Sequence, residues 1–185
     1  MMSSGHSKVL EIFEYLVIVA VAVALAFFIR TFVAEVYEVP TGSMLNTIQL
    51  GDRLVGEKLT YRFGSTPQVG DVVTFTSPQN PDTLLVKRVI ATAGQTVDLR
   101  DGAVYVDGHL MDEPSIEGKP TYSLADRTGA VIQNYPYTVP AGHIFVMGDN
   151  RTNSLDSRYF GAVAVSTVTS KAMFIFWPFD HARGL

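Results

Sequence analysis

From Tyr15 to Ile29 the sequence YLVIVAVAVALAFFI carries no charge. Extending the run from Ile12 to Ala34 adds only Glu14 and Arg30. As a helix those 23 residues span about 35 Å, enough to cross a hydrocarbon core of about 30 Å. The segment is apolar on every face, which does not suit a core helix of a soluble domain. Arg30 lies near its end, where a long side chain can snorkel to the interface. A cleavable signal peptide is the competing reading, because AVAVALA holds small residues at A-x-A spacing. Those alanines sit inside the apolar run rather than after it, and Glu11 and Glu14 accompany Lys8 before it. An uncleaved anchor over residues 12–34 is therefore expected, with 1–11 before it and 35–185 as a separate domain. Lys8 alone is a thin signal for orientation.

The remaining composition narrows the class of that domain. The chain has 185 residues, room for one ordinary domain behind the anchor. Fourteen Lys and Arg against 18 Asp and Glu give a net charge of −4, with a pI near 5.5. No nucleic acid is expected as a partner, since such a protein shows a basic face or stripe. Cysteine is absent, which removes disulfide scaffolds, thiolate metal sites and a Cys nucleophile together.

After Ala34 the texture becomes short β-branched and aromatic runs broken by Gly, Pro, Asn and Asp. Strands are predicted over Asp52–Val55, Asp71–Thr76, Leu84–Ala91, Thr96–Leu99, Ala103–Val106, His109–Met111, Ile144–Met147 and Val168–Phe176. Asp107-Gly108 is a two-residue hairpin turn of the favoured kind. Met111–Tyr137, punctuated by Pro114, Gly118, Pro120, Gly129 and Pro136, reads as a long excursion. No later segment keeps helical periodicity for three turns. The fold class is all-β, an antiparallel β domain behind one transmembrane helix.

Chemistry concentrates in three places. His6, His109, His143 and His181 are scattered without metal-ligand spacing, and neither D-x-D nor H-E-x-x-H occurs, so no metal or other cofactor is expected. Val39-Pro-Thr-Gly-Ser-Met-Leu places Ser43 in a sharp turn just outside the anchor. A serine hydroxyl is a poor nucleophile without a base beside it. In LLVKRVI, strand alternation puts Leu85, Lys87 and Val89 on one face. An edge-strand Lys is the ordinary explanation. An amine desolvated between apolar neighbours is the alternative, since burial lowers its pKa until it can act as a base. With no histidine placed for that task, Ser43 and Lys87 are the natural pair. The third place, GDNRTNSLDSRYFG over residues 148–161, gathers Asp149, Arg151, Asp156 and Arg158 among small polar residues that could hold such an amine.

PTGSM, LGDRLVGEK, GDVVTF, LVKRVI and GDNRTNSLDSRYFG, in this order, resemble the successive boxes of bacterial type I signal peptidases. The resemblance runs from the anchor to about Phe179. It implies a single-pass protein of the cytoplasmic membrane, its N-terminus cytoplasmic and its β catalytic domain on the extracytoplasmic side. It implies a Ser–Lys endopeptidase that removes signal peptides from secreted preproteins after A-x-A sites, with membrane lipid as a second partner. Carried over by position, Ser43 is the nucleophile and Lys87 the general base. Thr41 and the Ser43 backbone N–H form the oxyanion hole. Ser154 orients the Lys87 amine, Asp156 and Arg158 brace that wall, and Asp149 pairs with Arg88. Tyr37, Val39, Pro40, Met44, Ile48, Leu54 and Val86 are the expected pocket walls.

Three departures accompany the match. Thr41 stands where the family often has Ser, Asn46 where it commonly has Pro, and ATAGQ replaces its usual turn after LxKR. Two other classes compete with the peptidase. A self-cleaving Ser–Lys regulator needs a DNA-binding head, whereas this N-terminus offers an apolar helix. A catalytically silent, membrane-tethered β scaffold is separated from an enzyme by a peptide-cleavage assay.

Overall fold

The computed structural model describes residues 4–185; Met1–Ser3 of the expected N-terminal segment, and the side chain of His6, lie outside the described set. Helix α1 runs Ser4–Phe28 and widens into a π turn over Ile29–Val33. Every residue from Leu10 to Thr31 is exposed. A helix bare of neighbours and apolar all round is stable in lipid, not in water. The helical run ends one residue before the expected limit. Ala34 opens strand β1 (Ala34–Glu38) instead, because it pairs with Glu57 of β2 (Arg53–Glu57). The domain therefore begins without a linker.

After β2 come a short helix α2 (Leu59–Arg62), β3 (Val72–Thr76), β4 (Leu84–Thr92), β5 (Thr96–Arg100), β6 (Ala103–Val106) and β7 (His109–Leu110). Then follow β8 (Tyr137–Thr138), β9 (His143–Met147), helix α3 (Ser157–Phe160), β10 (Val163–Ala164), β11 (Val168–Trp177) and β12 (Arg183–Gly184). All pairings are antiparallel. The larger sheet has the order β1-β2-β11-β3-β4-β9-β10, with β12 beside β11, and the smaller is β7-β6-β5-β8. The domain is all-β, and each of the eight expected strands is present with ends shifted by a residue or two. Strands β1, β8, β10 and β12 were not expected. Asp107-Gly108 closes the β6–β7 hairpin with positive φ at both residues, 52° and 80°.

Three apolar clusters hold these layers. Ile90, Ala91, Val97, Val104, Phe145 and Met147 join the two sheets. Val73, Phe75, Val89, Ile144, Val146 and Phe160 form a second cluster. Val39, Met44, Ile48, Leu54, Val72, Ala172 and Ile175 form the third, beneath the loop that carries Ser43. The excursion between Met111 and Tyr137 has a 3-10 turn at Pro114–Ile116 and is pinned to the domain by polar contacts. Arg151 is paired with Glu113 and donates to Thr121 Oγ1 at 2.8 Å, and Arg158 donates to Tyr122 O at 3.2 Å.

Candidate active site

The loop between β1 and β2 is closed on itself. Val39 N donates to Asp52 O (3.0 Å), Gly51 N to Val39 O (2.9 Å) and Gln49 N to the buried Asp52 carboxylate (2.8 Å). Gly42 is needed here for space rather than for an unusual φ, because a Cβ would lie 2.9 Å from Leu45 Cδ1. Met44 and Ile48, at 1% and 0% exposure, anchor the loop in the cluster below. Ser43 is thereby presented above a packed floor.

Lys87 comes from β4, where it pairs with Val73 of β3. It is 2% exposed. Its Nζ lies 2.7 Å from Ser43 Oγ and donates to Val86 O at 2.9 Å. Burial holds its amine down to about 8 from the ordinary 10.5, against the opposing pull of Asp156 and Asp149. An amine with that pKa is partly neutral near pH 7, so it can accept the serine proton.

The 148–161 segment forms the far wall. Gly148, just after β9, sits so close to the serine loop that a Cβ would lie 2.3 Å from Ser43 O and from Ser154 Oγ. Arg88 grips the fully buried Asp149 with two hydrogen bonds, Nε to Oδ1 at 2.9 Å and Nη2 to Oδ2 at 2.7 Å. Thr47 Oγ1 donates to the same carboxylate at 2.5 Å. Asp156 and Arg158, at 0% and 1% exposure, are paired at 2.8 Å behind this wall.

Ser154 differs from expectation. Its hydroxyl is buried and has no hydrogen-bond partner among the described residues, and Lys87 Nζ turns to the Val86 carbonyl instead. Thr41 is exposed beside Ser43 on the cleft, and its hydroxyl makes no hydrogen bond among the described residues.

A cleft of about 130 Å³ leads to Ser43 and Lys87, well below the ~300–1,000 Å³ of small-molecule pockets. Tyr37, Val39, Pro40, Met44 and Val86 line it, as do Glu38, Thr83, Leu84 and Leu85. The last four escaped sequence reading, although Thr83 to Leu85 simply precede Val86 along the chain. Ile48 and Leu54 are not on its wall. Both are fully buried and pack in the cluster beneath. His181 Nδ1 lies 2.9 Å from Asp52 Oδ1, and His143 Nδ1 2.9 Å from Ala141 O. Neither ring is hydrogen-bonded to Ser43. Among the described residues no three His, Cys, Asp or Glu converge as metal ligands would.

Comparison with known proteins bears on this arrangement. The family model described as "Signal peptidase, peptidase S26" matches residues 12–177. A probable signal peptidase I-1 of Synechocystis sp. is 40% identical over 172 residues, covering 89% of this chain and 82% of that protein. The signal peptidase I of Mycobacterium tuberculosis is 37% identical, covering 89% of this chain and 72% of that one. A crystal structure of a signal peptidase I from Enterococcus faecalis V583 is 34% identical, with a TM-score of 0.47, over 58% of this chain and 97% of that one. Matched along nearly its whole length, with the serine, the lysine strand and the 148–161 wall all inside the matched region, the chain belongs to the signal peptidase family, peptidase S26, and is a hydrolase of that family.

Proposed function

We propose that the protein removes signal peptides from exported preproteins after A-x-A sites with a Ser43–Lys87 dyad. The observation that carries this reading is the 2.7 Å approach of a lysine 2% exposed to the serine hydroxyl. Neutral Lys87 takes the Ser43 proton as Oγ adds to the scissile carbonyl. The oxyanion is held by the Ser43 N–H and the Thr41 hydroxyl. Lys87 then gives its proton to the departing amine, leaving an acyl-enzyme. Water, deprotonated by the same amine, releases the signal peptide and regenerates Ser43. Ser154, Asp156 and Arg158 stand behind Lys87, and Asp149 with Arg88 steadies the wall.

The substrate lies extended in the cleft, pairing with strand edges while alternate side chains enter it. The small volume and the apolar Val39, Pro40, Met44 and Val86 walls favour Ala over larger residues. Full-length protein in detergent is expected to cleave a synthetic A-x-A peptide, and Ser43→Ala to lower the rate by roughly 10⁴-fold or more. An intact peptide with both proteins returns the reading to a silent scaffold.

The segment 12–34 is proposed to span the cytoplasmic membrane once, with residues 35–185 on the extracytoplasmic side. Lipid contact continues onto the domain: Val36, Val55 and Phe174 are cross-strand neighbours running from the helix exit, and Val36 and Phe174 are 59% and 44% exposed. Ala34–Gly42 alone separates the helix end at Val33 from Ser43, so the anchor holds the site near the bilayer. A chain starting near Glu35 is expected to keep its activity on short peptides and lose efficiency on membrane-inserted preproteins. Equal efficiency on both substrates contradicts the positional role.

A further inference from the structure

Asn150 has no part in the dyad, yet it touches the chain on both sides of Ser43. Its side-chain Nδ2 donates to Gly42 O at 2.9 Å, and its backbone N–H donates to Ser43 O at 3.1 Å. Asn150 itself is 8% exposed and meets the half-buried Gly42 and Ser43 from the inner side of the loop. Gly148 makes the contact possible, since a side chain there would collide with Ser43 O at 2.3 Å. The next residue, Asp149, is fixed by Arg88 and accepts from Thr47 on the far side of the same loop. Asn150 is thus carried on a rigid support.

The Gly42 carbonyl and the Ser43 N–H belong to one planar trans peptide and point in opposite directions. Holding the carbonyl oxygen therefore sets where the N–H points. That N–H has no hydrogen-bond partner among the described residues, which leaves it free for a charge that develops during reaction. A second bond, from the Asn150 backbone N–H to the Ser43 carbonyl, holds the next peptide unit, so the chain is fixed on both sides of the Ser43 Cα. No other described residue bonds to both carbonyls.

We infer that Asn150 is a positioning residue for peptide-bond cleavage: by clamping the carbonyls on either side of Ser43 it aims the Ser43 N–H at the developing oxyanion. This rests on the reading of Ser43 as the nucleophile. The role differs from substrate binding, because Asn150 is not on the cleft wall. It also differs from simple loop support, because the loop is independently closed by Asp52 and packed through Met44 and Ile48.

The test uses the full-length chain in detergent with four proteins: native, Asn150→Asp, Asn150→Ala and Ser43→Ala. Asn150→Asp keeps the shape but offers an acceptor where a donor is needed. Asn150→Ala removes the amide and keeps the backbone bond to Ser43 O. Each is assayed for kcat and KM on an A-x-A peptide, for thermal unfolding, and for inhibition by an A-x-A peptide boronate. The boronate adds Ser43 Oγ to boron, with the proton passing to Lys87, and so imitates the tetrahedral state.

Both Asn150 variants are expected to lose about 10²-fold in kcat, with KM and Tm close to native. Boronate affinity is expected to weaken by the same factor, since the adduct uses the same N–H. Asn150→Asp is expected to be the poorer of the two. If kcat stays within threefold of native in both variants while Ser43→Ala is inactive, the inference fails and the dyad stands. A kcat loss that comes with a raised KM, a lowered Tm and unchanged boronate affinity assigns Asn150 to the scaffold and also overturns it. A Ser43→Ala protein that cleaves at the native rate overturns the nucleophile and this inference together.

Discussion

Lys87→Met is expected to abolish turnover and to leave a chain at least as stable as the native one at pH 7. Losing the proposed partner of the nucleophile is expected to remove roughly 10⁴-fold or more in kcat. Its burial makes the folded state unfavourable for the charged amine, holding the pKa at about 8 against 10.5. Between those values the unfolded chain binds the proton and the native chain does not, so native stability rises with pH across about 8 to 10.5. Below about pH 8 both states are charged and the whole penalty is present, about 3 kcal/mol from the size of the shift. Met keeps the apolar stem and has no charge to bury, so it escapes that penalty while losing the bonds to Ser43 and Val86. The stability gap between Lys87→Met and native should therefore narrow from pH 7 to pH 10.5 in thermal unfolding. Native kcat/KM should rise through about pH 8 and level off above it. Lys87→Arg cannot deprotonate and is expected to be inactive and less stable, because it fixes a charge at a site 2% exposed. A folded Lys87→Arg protein with substantial activity would place the base elsewhere.

What could be read from the residues follows the range of the forces involved. Strands long enough to alternate, or set beside a strong turn signal, announce themselves locally, and the eight expected ones are present, the two-residue β7 through its Asp107-Gly108 turn. Strand β1 carries AEVYE, with Glu35 and Glu38 three apart and so on opposite faces, and its existence depends on pairing with β2 some twenty residues later. The two-residue strands β8, β10 and β12 are too short to have a period. Ser43 and Lys87 are 44 residues apart, and alternation could say only that Lys87 shares a face with apolar neighbours. The pairing comes from the lack of a histidine placed to serve as base, and the family resemblance then gives each residue its role. Ile48 and Leu54 look like Val39 and Val86 in sequence, all apolar and near the serine or lysine. Only packing separates a floor residue from a wall residue. Ser154 shows the same limit at finer scale, because its contact depends on a rotamer. Asn150 sits in a Gly-Asp-Asn run that reads as an ordinary turn, and its two bonds to residues 42 and 43 exist only after β9 has docked.

Asp156→Ala is expected to be the most destabilising single change in the wall, by about 3–5 kcal/mol. The carboxylate is fully buried and accepts four hydrogen bonds: from Gly148 N at 3.1 Å, Arg158 N at 3.2 Å, Arg158 Nε at 2.9 Å and Arg158 Nη2 at 2.8 Å. It also caps the N-terminus of α3, a contribution of about 1 kcal/mol by itself. Its removal leaves the Arg158 guanidinium 1% exposed with only the carbonyls of Arg151 and Tyr122 for partners. An unpaired charge in that setting is the dominant effect, larger than the lost attraction between the pair. The exposed pair Arg53–Glu38 provides the contrast, with side chains 51% and 64% accessible. Glu38→Gln should change stability by less than about 1 kcal/mol. A double change, Asp156→Leu with Arg158→Met, removes both charges and should be less harmful than Asp156→Ala alone. Urea unfolding of the detergent-solubilised chain measures all four proteins. Asp156→Ala within about 1 kcal/mol of native would mean that water reaches Arg158, and that the wall behind Lys87 is not the closed, low-dielectric support that its depressed pKa requires.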